Sequence, residues 1–229
     1  MAKVRKGDFT WLAGLLLIAF LLLYPATHEL FVRLTKGYPY IMGFVKVAIL
    51  ATMGELLTLR IITGKWRQPF GLPYRAFIWG LLGTSFVLVF EIFASGTMVA
   101  INKGLLPRGA GVVAQVLPAL FTSAAMNLVF APTMMAFHRI TDTYIDLAQG
   151  TPGKLGQVTL QAVVTQINWH NFIGFVIIKT IPLFWIPAHT ITFLLPPEYR
   201  VLMAALLSIA LGVILSFAKK TSKSSLNVT

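Results

Sequence analysis

Cysteine is absent from the 229 residues, which excludes disulfides, thiolate metal sites, iron–sulfur clusters and a cysteine nucleophile. Charge is also scarce: Asp, Glu, Lys and Arg make up 11% of the chain, where a soluble domain carries about a quarter. Acidic residues are the rarest, seven against nineteen Lys and Arg, so the formal net charge is +12. No GxSxG, P-loop, dinucleotide-binding glycine pattern or HExxH occurs, and no enzyme chemistry is expected. His28, His138, His170 and His189 are scattered without ligand spacing, so neither a metal nor another cofactor is expected.

Apolar sequence takes up the space instead. Hydrophobic residues are 57% of the chain, the mean hydropathy is +0.79, and the apolar residues gather into six long stretches. A membrane-spanning helix needs about 20 such residues, so six helices use about 120 and leave no room for a separate soluble domain. The runs are too long and continuous for barrel strands, which alternate and stop at about ten residues. The expected fold is an all-α integral membrane protein, a single domain over 1–229 with six transmembrane helices. They are placed near 9–31, 39–63, 75–101, 111–137, 169–195 and 199–218. Pro118, Pro132, Pro182 and Pro187 predict kinks, and Gly80, Gly83 and Gly96 predict close helix approach. The first run is read as an uncleaved anchor, and 138–168 as a polar connection holding a short interfacial helix.

The positive charges lie in loops and tails, where each is attracted to anionic headgroups by about 1 kcal/mol. The lipid bilayer and its anionic headgroups are therefore the expected partners, rather than nucleic acid. Twelve Lys and Arg fall on the side holding both termini and five on the other, which predicts that both termini are cytoplasmic or the equivalent.

Lys46, Glu55, Glu91 and Lys179 interrupt the apolar runs. A charge at mid-bilayer costs about 2.5–3.5 kcal/mol on insertion scales and faces protein or water. Matching depths predicts a Glu55–Lys179 pair and a Lys46–Glu91 pair on neighbouring helices. On an ideal wheel Asn168, Asn171, Phe175, Lys179, Pro182, Ile186 and His189 fall within about 80° of one another. Together with Asn127 this stripe reads either as a wetted pathway, gated by Glu55 and Lys179, or as a hydrogen-bonded packing seam.

Some segments carry a family resemblance. LVFAP (128–132) after Asn127 resembles the DQ-x-x-FAP signature of the Mpv-seventeen/peroxisomal-membrane-protein-twenty-two family. TFLLPPEYRVL (192–202), after Trp185 and His189, resembles its W-P-x-x-Q-x-x-NF-x-x-VP-x-x-YR segment. Gly54-Glu55 stands where the family has Gly-Asp, and Arg75 with Gly80 matches its R-x-x-x-x-G. Order and spacing agree over about 40–218, with one residue missing before the final Pro-x-x-Tyr-Arg. The chain departs from the pattern in lacking GP-x-x-H-x-W-Y, in Met126 for the Asp of DQ, in His189 for the Gln, and in an added first helix. The resemblance implies a distant member in a bacterial cell membrane or in a mitochondrial inner or peroxisomal membrane, with a pore-like role for small solutes. Three functions stay open: a channel or transport path for small polar or anionic solutes, a structural or accessory subunit of an oligomer or larger membrane complex, and lipid or quinone handling through the aromatic loop Trp66–Tyr74.

Overall fold

The computed structural model describes residues 4–226, with side chains as far as Ile214 and at Ser216, and every regular element among the described residues is helical. Nine helices follow one another among the described residues: α1 (Lys6–Leu23), α2 (Pro25–Gly37), α3 (Pro39–Thr63), α4 (Leu72–Asn102) and α5 (Val113–Leu147), then the short α6 (Pro152–Leu155) and α7 (Leu160–Gln166). The one-turn Trp169–Asn171, the stretch Phe172–Trp185 and Ile186–Leu194 form one continuous helix, here α8 (Trp169–Leu194), and α9 (Pro197–Leu226) closes the chain. Six of these, α1, α3, α4, α5, α8 and α9, are long and apolar enough to cross a membrane. The chain is an all-α membrane protein by this architecture. Lys3 and the last residues of the basic tail lie outside the described residues.

The helix expected over 9–31 is instead two. Tyr24 is extended (φ −72°, ψ 123°) because the proline ring of Pro25 disfavours helical backbone in the residue before it, and α2 restarts with that proline in its first turn. Helix α5 also runs ten residues past the expected stop at 137. His138, Asp142 and Asp146 recur at four-residue spacing on that extension, one face of a helix rather than a polar loop.

Apolar contact holds the bundle together. Helix α3 packs along α4 and α9, and α5 packs against α4 and the second half of α8. Val47, Leu50, Phe86, Met126 and Ala205 lie at the centre. Backbone approach between α3 and α4 depends on glycine: a Cβ on Gly83 would meet the Gly43 carbonyl, and one on Gly43 would meet Gly83. Gly96, expected to act similarly, faces open space.

Helix α1 has no buried residue, yet it is tied in at its start. Asp8 accepts from Arg60 Nε (2.7 Å) and Nη2 (2.8 Å) and from the Trp66 indole (2.8 Å), while the Trp11 indole donates to the Met53 carbonyl (3.0 Å). This end, where α1 begins and α3 finishes, is the termini side. At the opposite side Lys36 pairs with Glu198 (3.4 Å), and Tyr199 Oη lies 2.9 Å from His28 Nε2.

The middle of α8 is wound as a π-helix over Phe172–Trp185, with the Ile186 amide donating five residues back to Ile181. π-Turns this long are rare, and short ones cluster at functional sites. Pro182 has no amide to donate, which favours departure from the i−4 ladder. The buried face now recurs at Phe172, Ile181, Trp185 and His189, and the nine-residue step from Phe172 to Ile181 is one that an ideal α-helix would place on opposite faces.

Candidate functional site

Among the described residues, two cavities between the helices share one wall residue. The first, the inner chamber, has a volume of about 200 Å³ and is lined by α4, α5, α8 and α9. Its walls are largely rings and thioethers: Trp79, Phe86, Phe90, Phe130, Phe172 and Trp185 with Met126, Met134 and Met135. Trp185 stacks on His189 (centroids 5.1 Å apart), and Trp79 lies against His138 (4.0 Å). These two Trp–His pairs mark the ends of the chamber. Asn127, beside His189, and His138 are eleven residues apart on α5, a rise of about 16 Å. The indole nitrogens of Trp79 and Trp185 and Nε2 of His138 and His189 are buried without a hydrogen-bond partner in the protein.

The second cavity, the vestibule, holds about 490 Å³ at the opposite side. Thr35, Lys36, Pro39 and Lys46 line it from α2 and α3, Val87, Phe90 and Glu91 from α4, and Pro197, Glu198, Arg200 and Val201 from α9. Lys46 is only 7% exposed and has no carboxylate partner among the described residues; its ammonium sits 5.2 Å from the Phe31 ring centroid. Arg200 donates to the carbonyls of Leu195 (3.0 Å) and Phe193 (3.4 Å) and lies over the Phe193 ring. Three cations therefore face two carboxylates, and Lys36 already holds Glu198.

Phe90 belongs to both cavities. It is 5% exposed and is wedged by rings, with centroids 5.3 Å from Phe193 and 5.8 Å from both Phe86 and His189. A large apolar side chain thus stands between a largely aromatic chamber, whose lining also includes Asn127, His138, Arg139 and His189, and a charged one.

The termini side carries an ionic clasp. Arg75, 5% exposed, reaches Glu55 (2.9 Å) and Asp142 (3.0 Å) through Nη1, Asp146 (2.6 Å) through Nη2, and the Phe70 carbonyl (3.0 Å) through Nε. The Asp142 contact is an ion pair without hydrogen-bond alignment, and Glu55 Oε2 has no partner. His138 Nδ1 is 3.6 Å from Asp142, which links the clasp to the wall of the inner chamber.

The structure brings some of the expected site residues together and separates others. Asn127 and His189 meet: Asn127 Nδ2 and Oδ1 lie 3.1 and 3.2 Å from His189 Nδ1, and Nδ2 donates to the Ser123 carbonyl at 2.8 Å. Both line the inner chamber. The expected Glu55–Lys179 pair is replaced by Glu55–Arg75, and Lys179 and Asn171 face outward, away from both cavities. The cause is the π-winding of α8, which turns Lys179 off the face it would hold on an ideal α-helix. Lys46 and Glu91 do not form an ion pair. They share the vestibule wall, with Glu91 exposed and accepting from Ser95 four residues along its own helix (2.7 Å). Arg75 was missed as a partner because it stands at the start of α4, where a loop cation is expected to reach for headgroups. The signal for it was the Asp142/Asp146 spacing. Phe90, Trp79 and the methionines carried no signal, since apolar walls and apolar cores are written with the same residues.

Among the described residues no group of His, Asp and Glu is arranged to hold a metal ion. The chain matches no family model, no curated protein and no solved structure.

Proposed function

We propose that this membrane protein is a channel or transport protein for small polar or anionic solutes, with the vestibule and the inner chamber as successive parts of one path. The observation that carries the reading is Phe90, shared by both cavities and plugged by Phe86, Phe193 and His189. Hydrophobic constrictions of this kind gate membrane pathways, and ligand cavities of bundles lie between helices as these do. Asn127 and His189 stand on the chamber side of the constriction, Lys46 and Glu91 on the vestibule side. Glu55 contributes through the Arg75 clasp below the chamber. The reading is of passage rather than catalysis. It agrees with the pore-like role implied by resemblance to the Mpv-seventeen/peroxisomal-membrane-protein-twenty-two family, a distant membership that is part of the proposal, as is the cytoplasmic placement of both termini.

A second reading, an accessory subunit without transport, is favoured by one feature. Ser123, Asn127 and His189 form a buried hydrogen-bonded seam that joins α5 to α8, with Ser123 Oγ also donating to the Ile186 carbonyl (2.7 Å). Proteoliposome flux of a panel of small organic anions separates the two. Passage predicts flux above that of empty vesicles, raised several-fold by Phe90→Ala and lowered by Phe90→Trp. Flux equal to that of empty vesicles for wild type and Phe90→Ala alike overturns the transport reading and leaves the accessory one.

A further inference from the structure

We infer that the solute is an organic monoanion with an apolar body, its head held at Lys46 and Arg200 in the vestibule and its body accommodated past Phe90 among the aromatic and methionine side chains. The inference rests on the two-chamber reading and names the chemistry of its cargo.

Three observations combine. Lys46 is a buried ammonium without a carboxylate partner among the described residues, on the wall of a cavity that has room for one. A buried charge left unpaired is costly, and an anion in the vestibule supplies what Phe31 alone provides weakly. The vestibule lining carries one more cation than carboxylate, so a single negative charge neutralises it and a second would exceed it. The adjoining chamber is the reverse: its wall is mostly aromatic and thioether, which suits hydrocarbon. The chamber's one formal cation, Arg139, is exposed and stands next to His138, so a small hydrophilic anion makes little use of the rest of that wall, and a neutral hydrocarbon has no use for the vestibule cations. Only a molecule with both parts uses both chambers. The head can be a carboxylate or a sulfonate, since Lys46 and Arg200 recognise a single charge and acceptor oxygens common to both, whereas a phosphate monoester carries close to two charges at neutral pH and exceeds the balance.

The test is binding to the full-length protein in phosphatidylcholine nanodiscs, read by quenching of tryptophan fluorescence and by calorimetry. The probe is 1-octanesulfonate, whose charge is permanent. Methanesulfonate has the head alone, and octyltrimethylammonium has the chain with the opposite charge. The expected order is octanesulfonate tightest, octyltrimethylammonium at least about tenfold weaker, and methanesulfonate weaker by up to about fourfold per methylene lost. Lys46→Gln should weaken octanesulfonate by about tenfold and abolish its advantage over octyltrimethylammonium, while Lys46→Arg retains most of the binding. Equal binding of octanesulfonate and octyltrimethylammonium to the wild-type protein overturns the inference with no variant needed. So does octanesulfonate binding that survives Lys46→Gln unchanged, or methanesulfonate binding as tight as octanesulfonate. Selective binding without flux would remove the transport reading and keep the anion site. Flux of other solutes without octanesulfonate binding would do the opposite.

Discussion

The two ends of the bundle use the same kinds of side chain to opposite effect. At the termini side one cation, Arg75, is surrounded by Glu55, Asp142 and Asp146 at 2.6–3.0 Å, with every one of the three carboxylates in ion-pair contact. At the opposite side Lys36, Lys46 and Arg200 stand with Glu91 and Glu198 around about 490 Å³, and only Lys36 and Glu198 pair. Both ends place charge where the bilayer makes it expensive. The clasp recovers that cost within the chain by linking α3, α4 and α5. The vestibule does not, and an unrecovered cost that survives in a folded protein is better read as a site than as a strut. Buried charge alone therefore does not identify function; the space beside it decides.

The sharpest way to break this comparison is to open the clasp. Arg75→Met leaves three carboxylates facing one another and should destabilise the protein by up to about 3–5 kcal/mol, the cost of removing one partner from a buried pair, reduced here because Asp146 is 56% exposed. Thermal unfolding in nanodiscs would show it, and a shift of under about 1 kcal/mol would mean that the clasp is not structural. Phe90→Ala removes a ring from a close-packed cluster and costs up to about 3–5 kcal/mol, less where the neighbouring cavities already leave space, and it should raise flux where Arg75→Met does not. Lys46→Met is the counterpart of the clasp experiment. It removes a buried charge that has no ion-pair partner, so stability should hold or rise by up to about 2.5 kcal/mol even though anion binding falls. A large loss of stability in that variant would place Lys46 with Arg75 as a strut. Asn127→Leu breaks the seam to His189 and should cost about 0.6–1.7 kcal/mol, the range of single hydrogen bonds between membrane helices. Lys179→Gln touches neither end and should leave melting and anion binding within error of wild type, which calorimetry can check.

The six spanning helices were legible because the bilayer demands long apolar runs and little else. The break at Pro25 and the extension of α5 to Leu147 were written more faintly, in one proline and in the four-residue spacing of His138, Asp142 and Asp146. Asn127 and His189 could be found because a polar group in an apolar run needs a partner, and here each supplies the other. Lys179 was placed wrongly by the same logic, since a wheel of 3.6 residues per turn does not describe Phe172–Trp185. Lys46 and Glu91 were expected at matching depth and do share one cavity wall, but depth says nothing of the gap between them. Phe90 was illegible: nothing in a sequence separates a phenylalanine that fills a core from one that closes a path.

Uptake of 1-octanesulfonate into phosphatidylcholine proteoliposomes tests the central claim most directly, comparing empty vesicles, wild type, Phe90→Ala, Phe90→Trp and Lys46→Gln. The account expects uptake in the order Phe90→Ala, wild type, then Phe90→Trp, with Lys46→Gln well below wild type. Wild-type uptake equal to that of empty vesicles, or uptake indifferent to the side chain at position 90, would contradict it.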